Sequence, residues 1–425
     1  MQCIKKIGLL LFGILLLMPA QSQEIFTGEL DKLARKYVKK KKNKALIIGV
    51  IINGNYYVKG YGELGKNQPQ APTAQTLFEI GTLSSVFPAT LMVQMAYEGD
   101  LNTAIPIRQL LPESLTFPAF QPQICTEVVI NLNQREGYPL YPKRAISCKD
   151  DPLASPVDPT LCDLATHSSG LPNQLGKQQY AWHPFYSMNF KAERINDWEK
   201  LQFYNRLEQA PIMDHPGIKY RFSTAGIALL GQLLADQKGL SYADLLRSRI
   251  TERLNMPQTR AELNREQKVH LAPGHTAKGK PACCWSFDAL EPAVGLKSST
   301  ADLLSFLVAN LNTKDPYWSP IFEQTHQPYL GMRRQKLGKP TWAGYGWLSS
   351  TLSKESNLPV VWMNGGTRGY SSFMGLQKDK QVAVVVLSNS ANSVDEMSFK
   401  ILEILIDRER LLMETAAIDK DQSSF

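Results

Sequence analysis

Phe78-Glu-Ile-Gly-Thr82-Leu-Ser-Ser85-Val-Phe-Pro-Ala-Thr-Leu-Met-Val-Gln-Met-Ala-Tyr-Glu-Gly99 changes character at Val86. From Val86 to Ala96 it is apolar on nearly every face, the pattern of a helix buried inside a large domain and not of one lying on a surface. Gly99 closes that helix, because glycine enters the left-handed conformation of a C-cap without a Cβ clash. Pro88 is comfortable only in a first turn, so the helix is expected to start late, with Ser84 or Ser85 as its cap. Upstream, Ala45–Ile52 is β-rich, Asn53-Gly54-Asn55 is a turn and Tyr56–Gly62 a second strand, which reads as a hairpin. Ile25 to Lys44 reads as an amphipathic helix with Ile25, Leu30, Leu33, Ala34 and Tyr37 on its apolar side. Downstream, residues 114–159 are rich in Pro, Asn and Gln with no sustained period, as in a long insertion or loop.

The quoted stretch resembles the nucleophile helix of the penicillin-recognising serine hydrolases, the group holding class C β-lactamases, D-Ala-D-Ala peptidases and related esterases. There the phrase Phe-x-Ile-Gly-Ser-x-x-Lys supplies a serine that attacks a carbonyl and a lysine that helps remove its proton. Further phrases resemble the family in its own order. Ile107–Glu113 resembles its connection into the helical region. Leu161-Cys-Asp-Leu-Ala-Thr-His167-Ser-Ser-Gly-Leu-Pro172 resembles Leu-Leu-Thr-His-Thr-Ser-Gly-Leu-Pro. Residues 216–231 resemble its Tyr-Ser-Asn region, 291–303 its Gly-Gly-Leu-x-Ser-Thr-Ala-x-Asp-Leu helix start, Gly344–Trp347 its Gly-Leu-Gly-Trp strand, and 362–370 its His-Thr-Gly-Gly-Thr-x-Gly-Phe strand. Val382–Asn389 and Val394–Leu412 fall where its closing strand and final helix lie. The resemblance implies an α/β fold of the α+β type over residues 23–413. Such a fold has a central antiparallel sheet flanked by helices, a mostly helical region, and here a C-terminal tail over 414–425.

The same alignment shows which chemical groups are replaced. Thr82 stands for the serine, Ser85 for the lysine, Phe222 for the tyrosine, Thr224 for the asparagine and Met363 for the lysine or histidine. A threonine hydroxyl is a nucleophile only when a neighbouring base takes its proton, and none of the replacing residues is a base. No Ser-x-x-Lys or Gly-x-Ser-x-Gly occurs anywhere in the chain. These losses imply a catalytically impaired pseudoenzyme. The alternative is an active hydrolase using Thr82, or Ser84 or Ser85, with another base; a third reading places the function in the 114–159 insertion. The retained Ser223, Gly365 and Gly366, with Asn364 in the place of the family threonine and Arg368 beside them, leave the former cleft open to a peptide, a peptidoglycan fragment or a protein partner. Arg368 reads equally as a solvent-facing turn residue. His167 is expected to serve the scaffold and not proton transfer. Trp182, Phe185, Tyr186, Phe190, Trp198, Phe203 and Tyr204 read either as a pocket wall or as helical core.

Hydrophobic content of 43% and charged content of 20% describe an ordinary globular chain of 425 residues. Residues 1–22 hold Lys5 and Lys6, the apolar run Ile7–Met18 and then Pro-Ala-Gln-Ser, the arrangement of a cleaved export leader; an uncleaved anchor is the other reading. Export to the periplasm or beyond is expected. Removing those two lysines and no acid lowers the formal charge from +8 to +6, with the excess concentrated in Arg35–Lys44. Basic residues interleaved with aromatics across a face are missing, so no nucleic acid partner is expected. The run reads as a solvated helix end, with contact to an anionic envelope surface as the functional alternative. Five cysteines follow the leader: Cys125, Cys148, Cys162, Cys283 and Cys284. Cys125 with Cys148 is the first pairing expected, since both sit in the excursion that needs tying down. Cys283-Cys284 lacks the second ligand pair of a zinc site, and neither metal nor cofactor is expected.

Overall fold

The computed structural model describes residues 20–130, 143–175, 199–282, 287–332, 340–352 and 359–407. Residues 1–19 of the expected leader, Trp182, Phe185, Tyr186, Phe190, Trp198, Cys283, Cys284 and the 414–425 tail lie outside them.

The chain opens with α1 (Ala20–Val38), then β1 (Ala45–Ile52) and β2 (Asn55–Gly62). Asn53 and Gly54 take φ of 48° and 80° between the strands, the two positive values a type I′ hairpin turn requires. The first helix ends at Val38 and not at Lys44. A run of four adjacent lysines offers no apolar face to continue packing, and Asn43 folds back to donate its side-chain N–H to Tyr37 O at 2.8 Å. β3 (Leu77–Glu79) leads into a tight 3-10 turn over Gly81–Ser85, from which α2 (Val86–Tyr97) starts. Every residue of α2 from Val86 to Met95 is buried, as its all-round apolar sequence requires. Each large side chain so placed contributes about 1.5–3 kcal/mol relative to exposure.

The 114–159 excursion is not a featureless loop. β4 (Gln123–Ile130) pairs antiparallel with β5 (Lys143–Asp150), and Cys125 lies opposite Cys148 with the two sulfurs bonded. The β-branched residues of Thr-Glu-Val-Val-Ile were the missed signal, masked by the Pro and Gln around them. Next come α3 (Leu161–Ala165), α4 (Lys200–Leu207), α5 (Thr224–Lys238), α6 (Tyr242–Leu246) and α7 (Arg265–Lys268). Phe203 and Tyr204 on α4 are buried in this helical region, so they belong to its core. β6 (Lys297–Ser299) pairs with β3 and feeds α8 (Thr300–Leu311), whose cap Ser299 accepts the Asp302 N–H at 3.2 Å. After α9 (Trp318–His326) the chain forms β7 (Leu330–Gly331), β8 (Thr341–Ala343), β9 (Leu348–Thr351), β10 (Pro359–Gly366), β11 (Ser371–Gln377) and β12 (Val382–Ser388), then α10 (Asp395–Ile406).

Eight strands make one sheet in the order β2-β1-β12-β11-β10-β9-β8-β7, antiparallel throughout. Gly49 of β1 faces Thr300 and Leu304 of α8, whereas Gly375 of β11 faces Leu402 of α10. The register puts those two glycines on opposite faces, so α8 and α10 cover the sheet from either side. Among the described residues no helix is long and apolar enough to cross a membrane.

Candidate functional site

The site forms where the Gly81–Ser85 turn meets the second half of β10. β10 pairs with β11 along Val361–Gly366 but with β9 only over Pro359–Trp362. Beyond Trp362, no described strand occupies that side. The turn packs there against Asn364–Gly366, and the fit is tight: a Cβ built on Gly365 would lie 1.9 Å from Ile80 O, and one on Gly81 2.5 Å from Gly366 O. Gly81 also needs a positive φ of 54°. These contacts require glycine at both positions.

Thr82 is half-buried here, and its hydroxyl donates to the backbone carbonyl of Asn364 at 2.9 Å. A carbonyl oxygen is no base, so this bond anchors the hydroxyl without activating it. Ser85 is buried and donates to Gly346 O at 3.4 Å, a weak contact. Ser84, also buried, accepts the Leu296 N–H at 3.3 Å, tying the turn to the residue just past the tight Glu291–Gly295 segment. Ser85 takes the position before α2, but in helical backbone and with no side-chain capping bond; the 3-10 turn itself leads into the helix. The expected serine cap is therefore absent.

Strand alternation divides the β10 residues between two faces. Met363 shares the face of Gly365, toward the turn and α8, and is 3% exposed within the hydrophobic core. Asn364 shares the face of Trp362, which packs on Phe399 of α10 with ring centroids 4.9 Å apart. Its side-chain N–H₂ accordingly donates to Asp395 Oδ2 at 3.0 Å. The Asn364 amide is thus committed to α10, and what this residue offers the site is its backbone. Gly366 stays half-buried, and Thr367 and Tyr370 close the following turn through a 3.0 Å backbone bond. Arg368, half-buried at the turn's tip, makes no ion pair or hydrogen bond with the described residues.

Between α3 and α5, Phe222 lies against His167, centroids 4.6 Å apart, with Tyr220 on the same imidazole at 5.6 Å. His167 Nδ1 accepts the Ser223 N–H at 3.1 Å, so a neutral ring carries its proton on Nε2, which is buried without a partner. Burial pushes the imidazole down to about 4, and His167 stays neutral at physiological pH. Ser223 is buried too: its hydroxyl donates to Pro172 O at 2.8 Å and accepts the Gly226 N–H at 2.9 Å as the cap of α5. Its expected part in binding gives way to a structural one, because both its donor and its acceptor are engaged. Thr224 is half-buried and donates to Asn173 Oδ1 at 2.9 Å.

Sequence reasoning missed Asn173 and Asp395, and it held Gly346 only as part of the Gly344–Trp347 phrase. Asp395 resembles any acid in a helix's first turn. Gly346 has a φ of 71°, and a Cβ there would approach Ser85 O to 2.7 Å. Cys162 of α3 holds its thiol 3.1 Å from the Tyr345 hydroxyl. Among the described residues no group of three or more His, Cys, Asp or Glu could hold a metal ion.

Comparison with known proteins places this arrangement. The chain is 23% identical over 389 residues to a beta-lactamase of Providencia stuartii, spanning 85% of this chain and 86% of that protein. It is 25% identical over 375 residues to a beta-lactamase of Pseudomonas fluorescens, spanning 81% and 88%. Among solved structures it is similar to a class C beta-lactamase at a TM-score of 0.68 and 20% identity, covering 89% of this chain and 96% of that one. It is equally similar to the Pseudomonas syringae beta-lactamase/D-alanine carboxypeptidase, at a TM-score of 0.68 and 18% identity over 90% and 99% of the two chains. The Beta-lactamase family model matches residues 30–406, nearly all of the described fold, and the chain belongs to that family.

Proposed function

We propose that this beta-lactamase family member is catalytically impaired and uses the former active-site cleft to bind an extended peptide or cell-wall fragment. The observation that carries the reading is the Thr82 hydroxyl bonded to the Asn364 carbonyl, with Ser85, Phe222 and Met363 where a base would be needed. His167 does not fill that place, since its Nδ1 lone pair is engaged, its Nε2 carries the proton and burial weakens it as a base. Past Trp362, β10 has no described strand partner, which supports ligand addition there beside the turn whose Thr82 already takes the Asn364 carbonyl. Arg368 at its end supports recognition of a carboxylate, as guanidinium and carboxylate pair through two parallel hydrogen bonds.

Intact-mass analysis of the folded protein after exposure to benzylpenicillin and, separately, to a fluorophosphonate tests this reading. Unchanged mass under both is expected. A stable adduct on Thr82, Ser84 or Ser85 would overturn it and favour an active serine or threonine hydrolase; the relatives are named beta-lactamases. We also infer that the protein is exported: the charged, apolar and small-residue order of residues 1–22 supports a leader, and the bonded Cys125–Cys148 pair supports an oxidising compartment. A mature N-terminus near residue 23 is expected from protein recovered from cells.

A further inference from the structure

We infer that the turn after α1 and the loop over Thr276–Lys280 together form a docking surface for an anionic lipid bilayer. Three segments distant in sequence meet there. Asn392 donates from one amide to Asn43 Oδ1 at 2.8 Å and to Ala277 O at 3.2 Å, joining all three. Tyr37 donates to Asn392 O at 2.7 Å, Lys44 N–H to Ser390 Oγ at 2.9 Å, and Gly279 abuts the Lys42 backbone. The surface is therefore held rigidly.

Its charge is one-sided. Arg35, Lys36, Lys39–Lys42 and Lys44 come from one segment and Lys278 and Lys280 from another, while residues 35–44, 270–282 and 388–393 contain no acid. These nine cations exceed the formal net charge of +8, leaving the rest of the chain close to neutral. Lys39–Lys42, Lys278 and Lys280 are exposed. Among the described residues only Arg35 has an acidic partner, Asp31, at 3.9 Å. Two exposed acids border the surface, Glu63, whose backbone N–H donates to Lys44 O at 3.2 Å, and Glu396 in the first turn of α10, whereas Asp395 is buried and turned to Asn364. A helix C-terminus accounts for Arg35 and Lys36 through its dipole, but not for lysines beyond the last turn or on another loop. Holding so many like charges together opposes folding, so an arrangement this dense points to a partner that neutralises it.

The chemistry favours a phosphate-rich surface over a nucleic acid. The one aromatic in the cluster, Tyr37, is buried and cannot stack on a base. A cavity of about 220 Å³ lined by Tyr37, Lys40, Lys42, Asn43, Asn392 and Ser393 opens among the lysines and is wide enough to admit a headgroup phosphate.

The test is co-sedimentation of the full chain with vesicles of phosphatidylglycerol and, in parallel, of phosphatidylcholine, at low and high salt. Preference for phosphatidylglycerol that disappears at high salt is expected; the phosphatidylcholine arm accounts for any insertion of the apolar N-terminal run. A variant with Lys39, Lys40, Lys41 and Lys42 all changed to Ala should lose at least about 100-fold in that preference, since each lysine at such a surface contributes about fivefold. The double variant Lys278→Ala, Lys280→Ala should lose about 25-fold, which a contribution from the first segment alone would not produce. Both variants replace exposed side chains, and unchanged thermal midpoints would confirm folding. Equal binding to both vesicle types, indifference to either variant, or capture by a soluble polyanion with none by vesicles would overturn the proposal.

Discussion

Gly365 and Met363 lie two residues apart on one face of β10, and their surroundings are of opposite kinds. Gly365 touches backbone: Ile80 O and Leu83 N of the turn carrying Thr82 leave no room for a methyl group. Met363 touches other side chains in a core that fills its space with apolar atoms. The first environment fixes the relative position of turn and strand to a few tenths of an ångström. The second tolerates any residue of suitable size and polarity. Side-chain identity on this face can therefore change while the main-chain frame beside it stays in place.

The comparison breaks most directly at the frame. Gly365→Ala should cost at least about 4 kcal/mol, because its Cβ meets a main-chain carbonyl that can yield only if the whole turn moves. A urea midpoint shifted by less than the equivalent of 1 kcal/mol would show that the turn is not locked. Next in size is the acid side of the stability profile. His167 is neutral in the fold down to about pH 4, but protonates near 6.5 when unfolded, so the unfolded chain binds the extra proton between those values. Stability should fall by about 3 kcal/mol from this residue as pH drops from 6.5 to 4. His326, half-buried and depressed to about 3 by desolvation, acts in the same direction. Imidazole titration by NMR would assign the loss, and a His167 midpoint above 6 would refute its neutral role.

Smaller effects probe the side chains. If Arg368 receives a carboxylate, Arg368→Ala should weaken binding of a peptide with a free C-terminus by about 10- to 100-fold, the value of a charge-assisted pair, and leave the amidated peptide unaffected. Calorimetry with both peptides reads the difference, and an equal loss for both would remove the carboxylate from the account. Ser223→Ala should cost about 1 kcal/mol as a lost helix cap, measurable by thermal unfolding. Thr82→Ser should change stability by less than about 0.5 kcal/mol and yield no penicillin adduct, because restoring the family hydroxyl supplies no base. An adduct on that serine would mean that the frame still holds a base.

Much of this was legible in the chain. The all-round apolar run Val86–Ala96 specified a buried helix, Asn53-Gly54 specified its hairpin turn, and the ordered phrases from Phe78 to Tyr370 specified the sheet and its helices. What escaped were features set by contact between distant segments. Ser84 and Ser85 look like caps in sequence, yet Leu296 and Gly346 claim their hydroxyls across more than two hundred residues. Ser223 looks like a cleft residue until the cap of α5 is seen to engage it. The β4–β5 hairpin hid in a composition typical of loops.

The sequence by itself determined the family frame and the identity of the groups missing from it, since residue type is a local property and a phenylalanine has no hydroxyl wherever it is placed. Only the tertiary structure decided where the remaining polar groups are directed. The Thr82 proton goes to a carbonyl on β10, the Asn364 amide goes to α10, and eight lysines and an arginine from two segments form one surface. Hydrogen bonds and charge clusters depend on distances of a few ångströms between residues hundreds of positions apart, and no local pattern encodes those distances.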